Sequence, residues 1–224
     1  MRKLVLLLLL LPPFAAAQAP PAAPAGARVE FENERVRILR GSIAPGARGR
    51  VHTHPSYIGI PLTDARLRIH FPDGTTREMH VQAGQPGWRE GVTHAIENLG
   101  QSVFEAIDVE LKDSATHAGP PLSNAAAHEP ESVKLEFENE HVLRYRLRPG
   151  QKGKTHGHPA FVAVLLTDAN LRVTLADGTT RESNAKAGEA SWHEPVTHTI
   201  ENLGPKPFEA LAIELKRDPR KPTD

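Results

Sequence analysis

The sequence contains the same stretch twice, and this duplication limits the fold more than any other feature. The segment from Pro45 to Lys112 aligns without gaps with the segment from Pro149 to Lys216, at an offset of 104 residues. Roughly half of the aligned positions are identical, which is far above chance for an internal repeat. The motif Phe-Glu-Asn-Glu at Phe31 also returns at Phe137. Each copy is too long for a solenoid repeat and large enough to enclose a small core, so we predict two similar domains in tandem.

The boundaries of these domains follow from composition. The segment between the copies contains Gly-Pro-Pro and Ala-Ala-Ala runs, which are typical of a linker. We predict a signal peptide at 1–17, an Ala/Pro-rich leader at 18–28, the first domain at 29–112, a linker at 113–132, the second domain at 133–216 and a tail at 217–224.

The first seventeen residues predict export. Arg2 and Lys3 precede an aliphatic run from Leu4 to Leu11, and three alanines that end at Ala17 supply a cleavage site of the A-x-A type. The run is shorter than the roughly 20 apolar residues that a membrane-spanning helix needs. An uncleaved anchor is the alternative. We therefore expect a periplasmic or secreted protein without a membrane attachment after cleavage.

Charge and cysteine content exclude several classes of protein. The 27 Lys and Arg residues are balanced by 27 Asp and Glu residues, so the chain lacks the basic excess of a nucleic-acid-binding protein. Because the chain has no cysteine, it has no disulfide, no thiolate metal site and no cysteine nucleophile. We expect a small-molecule substrate as the partner and no nucleic acid, and a homo-oligomer is left open. Any metal must be held by His, Asp or Glu.

The periodicity within each copy is that of β-strands. The segment from Ala65 to Phe71 alternates apolar and polar residues, meets the turn sequence Pro72–Gly74 and continues from Thr75 to Val81, which predicts a hairpin. The second copy has the same pattern, with its turn at Asp177–Gly178. Many short strands separated by Gly, Pro and Asp turns predict an all-β fold with an antiparallel barrel or sandwich in each copy.

Six of the twelve histidines form two matching triads. In a strand, residues i and i+2 point to the same face, so a His-x-His pair projects two imidazoles together, and a third histidine from another strand completes the set. Three neutral imidazoles suit Fe(II), Zn(II), Cu(II), Ni(II) or Co(II) and leave positions open for water or substrate. We predict one divalent ion per copy, with Fe(II) or Zn(II) as the leading candidates and Cu, Ni and Mn as alternatives. The predicted ligands are His52, His54 and His94 in the first copy and His156, His158 and His198 in the second.

The histidine motifs resemble those of the cupin superfamily. The stretch from Gly46 to His54 looks like the first cupin motif, and the stretch from Gly84 to Asn98 looks like the second; both return at Gly150–His158 and Gly188–Asn202. The phrases His-x-His-Pro and Thr-His-x-x-Glu-Asn are also similar to small exported cupins linked to β-alanine degradation. The resemblance implies a bicupin, with two tandem cupin-like antiparallel β-barrels of the jelly-roll, or double-stranded β-helix, type.

One departure from the family pattern affects the expected chemistry. The first cupin motif usually supplies a glutamate after its second histidine, but Ile58 and Gly59, or Val162 and Ala163, stand in that region. The resemblance therefore implies a three-His site, as in some cupin dioxygenases, and a dioxygenase-type oxidation of a small organic acid or diketone. The metal would serve as a Lewis acid or as the O2-binding centre. The alternative is a non-enzymatic binding protein whose structural metal shapes a pocket for a carboxylate or a sugar.

Two carboxylates are the candidate catalytic residues. Glu90 and Glu194 occupy matching positions four residues before the third histidine of each triad, where they would accept hydrogen bonds from ligand histidines or carry protons. A solvated carboxylate at a strand end is the alternative. We also expect Trp88 and Trp192, at matching positions, to be core residues, with a substrate contact as the other interpretation.

Smaller features of the repeat give two further expectations. Asn98 and Asn202 are expected to fix a turn. The histidines outside the triads have no histidine at the matching position, and His141 aligns with Arg35.

Overall fold

The computed structural model describes residues 27–112, 133–136 and 140–215, with the backbone alone at 133–136 and 140–141. The predicted signal peptide, the linker and the tail from 217 onwards lie outside these residues, so export stays a prediction. The predicted leader lies outside them too, apart from its last two residues. The described part of the chain contains no helix long and apolar enough to cross a membrane.

The first repeat folds into two antiparallel sheets. One sheet has five strands in the order β1-β2-β9-β4-β7, and the other has four in the order β3-β8-β5-β6. The strands are β1 (Ala27–Glu32), β2 (Val36–Ile43), β3 (His52–His54), β4 (Tyr57–Pro61), β5 (Ala65–His70), β6 (Thr76–Val81), β7 (Gly87–Arg89), β8 (Val92–Asn98) and β9 (Phe104–Leu111).

The second repeat has the same two sheets. Their orders are β10-β11-β18-β13-β16 and β12-β17-β14-β15. The strands are β10 (Val133–Glu136), β11 (Glu140–Leu147), β12 (His156–His158), β13 (Phe161–Leu165), β14 (Ala169–Leu175), β15 (Thr180–Ala185), β16 (Ala190–His193), β17 (Val196–Asn202) and β18 (Phe208–Leu215). No helix occurs among the residues described, and the predicted all-β fold with two tandem antiparallel barrels is confirmed.

The predicted hairpin forms in both repeats for the expected reason. At the first turn, Gly74 has a φ of 84°, a left-handed conformation that glycine adopts without a steric penalty. Asp73 accepts a hydrogen bond from the backbone N–H of Thr75 at 2.9 Å, which closes the turn. Gly178 has a φ of 85° at the second turn. The hairpin sequence therefore fixes the pairing of β5 with β6 and of β14 with β15.

The strand ladders correct two details of the sequence alignment. Strand β1 already pairs with β2 at Ala27 and Arg28, which the sequence analysis assigns to the leader, because the long β2 offers partners that far. In the second ladder, His141 lies opposite Glu214, and in the first Arg37 lies opposite Glu110. His141 is therefore equivalent to Arg37 and not to Arg35. The ladders keep the 104-residue offset, whereas the offset between the two Phe-Glu-Asn-Glu motifs is two residues longer.

The largest hydrophobic cluster is shared by the two repeats. On β9, alternate residues Ile107, Val109 and Leu111 turn to the outer face of the barrel, where they meet Leu211 and Ile213 of β18. All five side chains are at most 1% exposed. The tryptophans Trp88 and Trp192 pack against the same cluster, as core residues do. Each barrel also keeps a smaller apolar cluster of its own.

Reciprocal contacts around this shared core relate the two repeats by an approximate twofold symmetry. Arg40 of the first repeat donates to the carbonyl of Gly188, and Arg144 of the second donates to the carbonyl of Gly84. Phe31 stacks on Trp192 with 6.2 Å between the ring centroids. The two barrels therefore pack as one body, back to back, and each barrel interior faces away from the other.

Candidate metal centres

The first triad is assembled by one short strand and its neighbour. Strand β3 carries His52 and His54 on one face, and the antiparallel pairing with β8 places His94 directly opposite His52. The intervening Thr53 points to the other face, where its hydroxyl meets that of Thr93 at 2.8 Å. The alternation of the strand thus brings three imidazoles into one barrel, as the His-x-His spacing predicts.

The second triad reproduces this geometry. His156 lies opposite His198 across β12 and β17. The ring centroids in the first triad are 4.8, 4.8 and 5.4 Å apart, and those in the second are 4.9, 4.7 and 5.3 Å apart. In each triad, one nitrogen from every ring lies within 4.8 Å of the others. The structure therefore brings together all six histidines that the sequence selects, in two equivalent sets.

The hydrogen bonds of the histidines leave their Nε2 atoms for a ligand. Nδ1 of His52 bonds to the carbonyl of Arg50 at 2.8 Å, and Nδ1 of His54 bonds to the carboxylate of Glu110 at 2.6 Å. A ring nitrogen that faces a carbonyl or a carboxylate must carry the proton, so Nε2 keeps the lone pair. Nε2 of His94 is buried and has no hydrogen-bond partner among the described residues. Such a buried polar atom is costly unless an ion binds it.

The second centre has the same hydrogen bonds at Nδ1 and a different contact at Nε2. Nδ1 of His156 bonds to the carbonyl of Lys154 at 2.8 Å, and Nδ1 of His158 bonds to Glu214 at 2.6 Å. Nε2 of His156 lies 3.2 Å from Nε2 of His198. Two ring nitrogens at this distance either share a proton or bind one ion. The donor sets of both centres therefore fit a divalent metal held by three imidazoles.

Burial favours the neutral form of three of these imidazoles, those of His52, His94 and His198. Burial, together with the repulsion between cations that His52 and His54 would add, lowers the pKa of His94 to about 4. In the second centre, burial and the two neighbouring histidines lower the pKa of His198 to about 3. Burial also lowers the pKa of His52. A neutral imidazole is the form that binds a metal, so both sites are ready to bind one at neutral pH.

Glu110 is the group that the sequence analysis missed. Its side chain is 1% exposed, and besides His54 it binds Nε of Arg37 at 2.6 Å. Burial raises the pKa of this carboxyl, but the hydrogen bonds from His54 and Arg37 outweigh it, and the net pKa is lowered. Glu214 holds His158 in the same way. Carboxylates that bind the far nitrogen of a ligand histidine orient the ring and make it a better ligand.

The structure places the predicted catalytic carboxylates at the surface. Glu90 is exposed and accepts a hydrogen bond from the indole N–H of Trp88 at 2.8 Å, and Glu194 does the same for Trp192. In the described part of the chain, neither forms a hydrogen bond with a triad histidine. Glu110 and Glu214 perform the orienting role instead, and a catalytic role for Glu90 and Glu194 stays a prediction.

The two asparagines lie where the sequence indicates, and two aromatic residues pack beside the ligands. The amide of Asn98 donates to the carbonyls of Ile43 and Ser102 and accepts from the N–H of Gly100, so it fixes the turn before β9, as expected. Asn202 does the same in the second repeat. Tyr57 and Phe161 pack beside the ligand histidines, with centroids 4.7 Å from the rings of His54 and His158.

Acidification is expected to release the metal from both centres. The unfolded chain protonates histidine near pH 6.5, but folded His94 does so only near pH 4, so the unfolded state binds more protons between these values and stability falls as the pH drops through this window. Acid also competes with the ion for up to three nitrogens per site. Metal release to a chromogenic chelator should begin below about pH 6 and be cooperative. Retention that is independent of pH would contradict histidine ligation.

The comparisons with known proteins agree with this architecture. The chain is 33% identical over 95 residues to the "Beta-alanine degradation protein BauB" of Pseudomonas aeruginosa, which covers 42% of this chain and 96% of BauB. No family model matches the chain.

Solved structures show the same fold. Oxalate decarboxylase of Bacillus subtilis matches with a TM-score of 0.58 and 17% identity over 82% of this chain and 69% of that protein. AerE from Microcystis aeruginosa matches with a TM-score of 0.61 and 17% identity over 87% of this chain and 98% of its own. With two equivalent barrels, a three-histidine centre in each and these relatives, the chain belongs to the cupin superfamily as a tandem bicupin that binds divalent metal.

Proposed function

We propose that this bicupin is a metal-dependent enzyme that oxidises a small organic acid by dioxygenase-type chemistry. The observation that carries the proposal is the composition of the centres. Each holds three imidazoles, and the described residues add no fourth histidine or carboxylate to either cluster. Structural metal sites are usually closed by a fourth protein ligand, whereas catalytic sites keep a position for water or substrate. A binding protein with a purely structural metal is therefore the weaker alternative.

The residues of the chain prepare each centre for this chemistry. Glu110 and Glu214 hold one imidazole of each triad in a fixed tautomer. Burial and the neighbouring histidines lower the pKa values of His94 and His198, which keeps both rings in the neutral form that binds a metal. A divalent metal bound there would supply Lewis acidity or activation of O2.

The names of the relatives support the substrate class and favour one of the alternative metals. BauB is named for the degradation of β-alanine and oxalate decarboxylase for its action on oxalate, both small organic acids. Oxalate decarboxylase has Mn(II) centres, so Mn(II), an alternative on the sequence alone, stands beside Fe(II) and Zn(II) as a leading candidate here.

Iron loading under anaerobic conditions tests the proposal. The protein is expected to hold two Fe(II) ions per chain, and the double variant His52→Ala/His54→Ala should hold one. Nitric oxide, a surrogate for O2, should give the high-spin EPR signal of an accessible ferrous centre, and a small organic acid should stimulate O2 uptake.

The exposed His80 gives the matched control, because His80→Ala also removes a histidine but should keep both ions. Two ions in the double variant would contradict the assignment of the ligands. Bound iron that gives neither a nitric oxide signal nor O2 uptake would contradict the oxygenase and favour a binding protein.

A further inference from the structure

The wall of the first barrel beside the metal centre carries a row of polar side chains. In the five-stranded sheet, Tyr57 lies opposite Glu110 on one side and opposite Arg89 on the other. Directly opposed residues of a sheet project from the same face. Because Glu110 reaches His54 on that face, Tyr57 and Arg89 belong to the wall that faces the metal centre.

Two glycines in the next row leave room for two charged groups. Gly59 lies opposite both Asp108 and Gly87. A Cβ atom at Gly87 would lie 2.7 Å from Nη1 of Arg89, and one at Gly59 would lie 3.3 Å from Oδ1 of Asp108. The guanidinium therefore extends over Gly87 and the carboxylate over Gly59, and a larger residue at either position would displace them.

Asp108 has charged neighbours but no bonded partner. Its carboxylate forms no hydrogen bond or ion pair with any residue that the structure describes. Burial raises the pKa of this carboxyl to about 6, against the opposing fields of His54 and Arg89. The side chain of Asp108 is half-buried, so its carboxylate is partly desolvated while no group of the fold compensates it, and it is available to a ligand.

The equivalent wall of the second barrel replaces the tyrosine and the carboxylate with apolar residues. The ladders place Phe161 and Ala212 where the first barrel has Tyr57 and Asp108. Both side chains join Leu143 in a buried hydrophobic cluster. His193 replaces Arg89, stacks on Phe161 at 4.7 Å and bonds to the hydroxyl of Ser191 at 2.8 Å. The second barrel thus has no carboxylate at the position of Asp108 and no guanidinium at that of Arg89, and the arginine whose charge acts on its histidines is Arg181 of β15.

We propose that substrate binds in the first barrel alone, and that Arg89 and Asp108 recognise the two ends of a small acid that carries an ammonium or hydroxyl group. Arg89 would bind the carboxylate, because a guanidinium pairs well with planar anions. Asp108 would accept a hydrogen bond from the ammonium or hydroxyl group at the other end of the acid. Tyr57 would lie between Arg89 and Asp108. This inference rests on the proposed function, since it gives that function its substrate class and confines it to one of the two metal centres.

Calorimetric titration of the Zn(II)-loaded protein tests the inference without turnover. The probes are four acids of one chain length: 3-aminopropanoate, 3-hydroxypropanoate, propanoate and malonate. One molecule of the amino acid or of the hydroxy acid should bind per chain. Propanoate lacks the donor, and malonate places a second carboxylate against Asp108, so both should bind at least tenfold more weakly, which is the order expected for one charge-assisted hydrogen bond.

Variants assign the two ends of the ligand. Asp108→Ala introduces the residue found in the second barrel and should lower the affinity for the amino acid and the hydroxy acid about tenfold or more. Asp108→Asn keeps the size of the side chain and should lower the affinity for the amino acid more than the affinity for the hydroxy acid. Arg89→Gln should weaken every acid. Ser191→Ala, in the second barrel, is the control and should change no affinity.

The outcomes separate this inference from the proposed function. Equal affinity for the four acids, no binding at all, two molecules per chain or indifference to Asp108→Ala would each overturn the inference, provided that the variant retains two Zn(II) ions. Selective binding without acid-stimulated O2 uptake would support the inference and contradict the oxygenase. Acid-stimulated O2 uptake, combined with acid affinities that neither Asp108 variant changes, would support the oxygenase and contradict the inference.

Discussion

Glu110→Ala is expected to lower the free energy of unfolding by about 3–5 kcal/mol, the usual cost of removing one partner from a buried ion pair. Arg37 is 3% exposed and would keep its charge in the interior without this carboxylate. The N–H of His54 would also lose its acceptor. Chemical denaturation of the metal-free protein measures the change.

The same variant should weaken metal binding at the first centre. Without Glu110, the ring of His54 is free to rotate and to change tautomer, and loss of such an orienting group typically costs about 10–100-fold in metal affinity. The second centre, oriented by Glu214, should keep its affinity. A titration with Zn(II) should therefore change from two similar sites to one tight and one weak site.

Glu78→Ala provides the matched control. Glu78 also bonds two arginines, Arg66 and Arg68, but on the exposed surface of the first hairpin. Exposed ion pairs contribute little, because water and salt screen them. Glu78→Ala should therefore leave metal affinity unchanged and the free energy of unfolding almost unchanged. If Glu110→Ala behaved like this control, the orienting role of Glu110 would be wrong.

The histidine triads could be predicted because all their determinants are local or repeated. The spacing of His52 and His54 fixes a shared face, and the duplication separates the triads from the other histidines. The register then places His94 opposite His52. Each step needs only the alternation of a strand and one antiparallel neighbour, which sequence patterns describe well.

Glu110 could not be assigned in the same way, because its contacts depend on three strands that are distant in the sequence. It meets Arg37 of β2 and Tyr57 of β4 across the ladder of β9, and it reaches His54 in the opposite sheet. One local signal was present. The run from Phe104 to Leu111 is a buried strand that carries acidic residues, and Glu110 returns as Glu214. An acidic residue in an apolar strand needs a partner, and that requirement indicates a site.

The shared core also follows from β9, although the repeat by itself suggests two independent domains. Ile107 and Val109 line one face of β9, while Phe104 and Ala106 line the other. Although the inner face also carries Asp108 and Glu110, buried apolar residues occur on both faces of β9, and both faces are therefore covered. The barrel interior covers one face, so the outer face requires the other repeat.

Ile107→Asp is therefore expected to destabilise both barrels together, by about 4 kcal/mol or more, because it buries an unpaired charge at a fully buried position. The side chains around Ile107 come from both repeats, so neither barrel can open without exposing apolar surface of the other. Thermal unfolding should remain a single transition in which both metal ions leave at the same temperature. Circular dichroism and metal release, recorded on one sample, measure this.

Two further variants keep this prediction testable if Ile107→Asp does not fold. Ile107→Ala only removes buried volume and should cost about 2–5 kcal/mol, again in one transition. Val103→Asp places the same charge just before β9, at a valine that is 44% exposed, and should leave the transition almost unchanged. Two separate transitions, with the second barrel keeping its metal and its melting temperature in Ile107→Ala, would show that the barrels are independent. Because substrate is proposed to bind only in the first barrel, a single transition would give the second barrel a defined role. Its metal would stabilise the shared core, which forms the wall behind the reactive site.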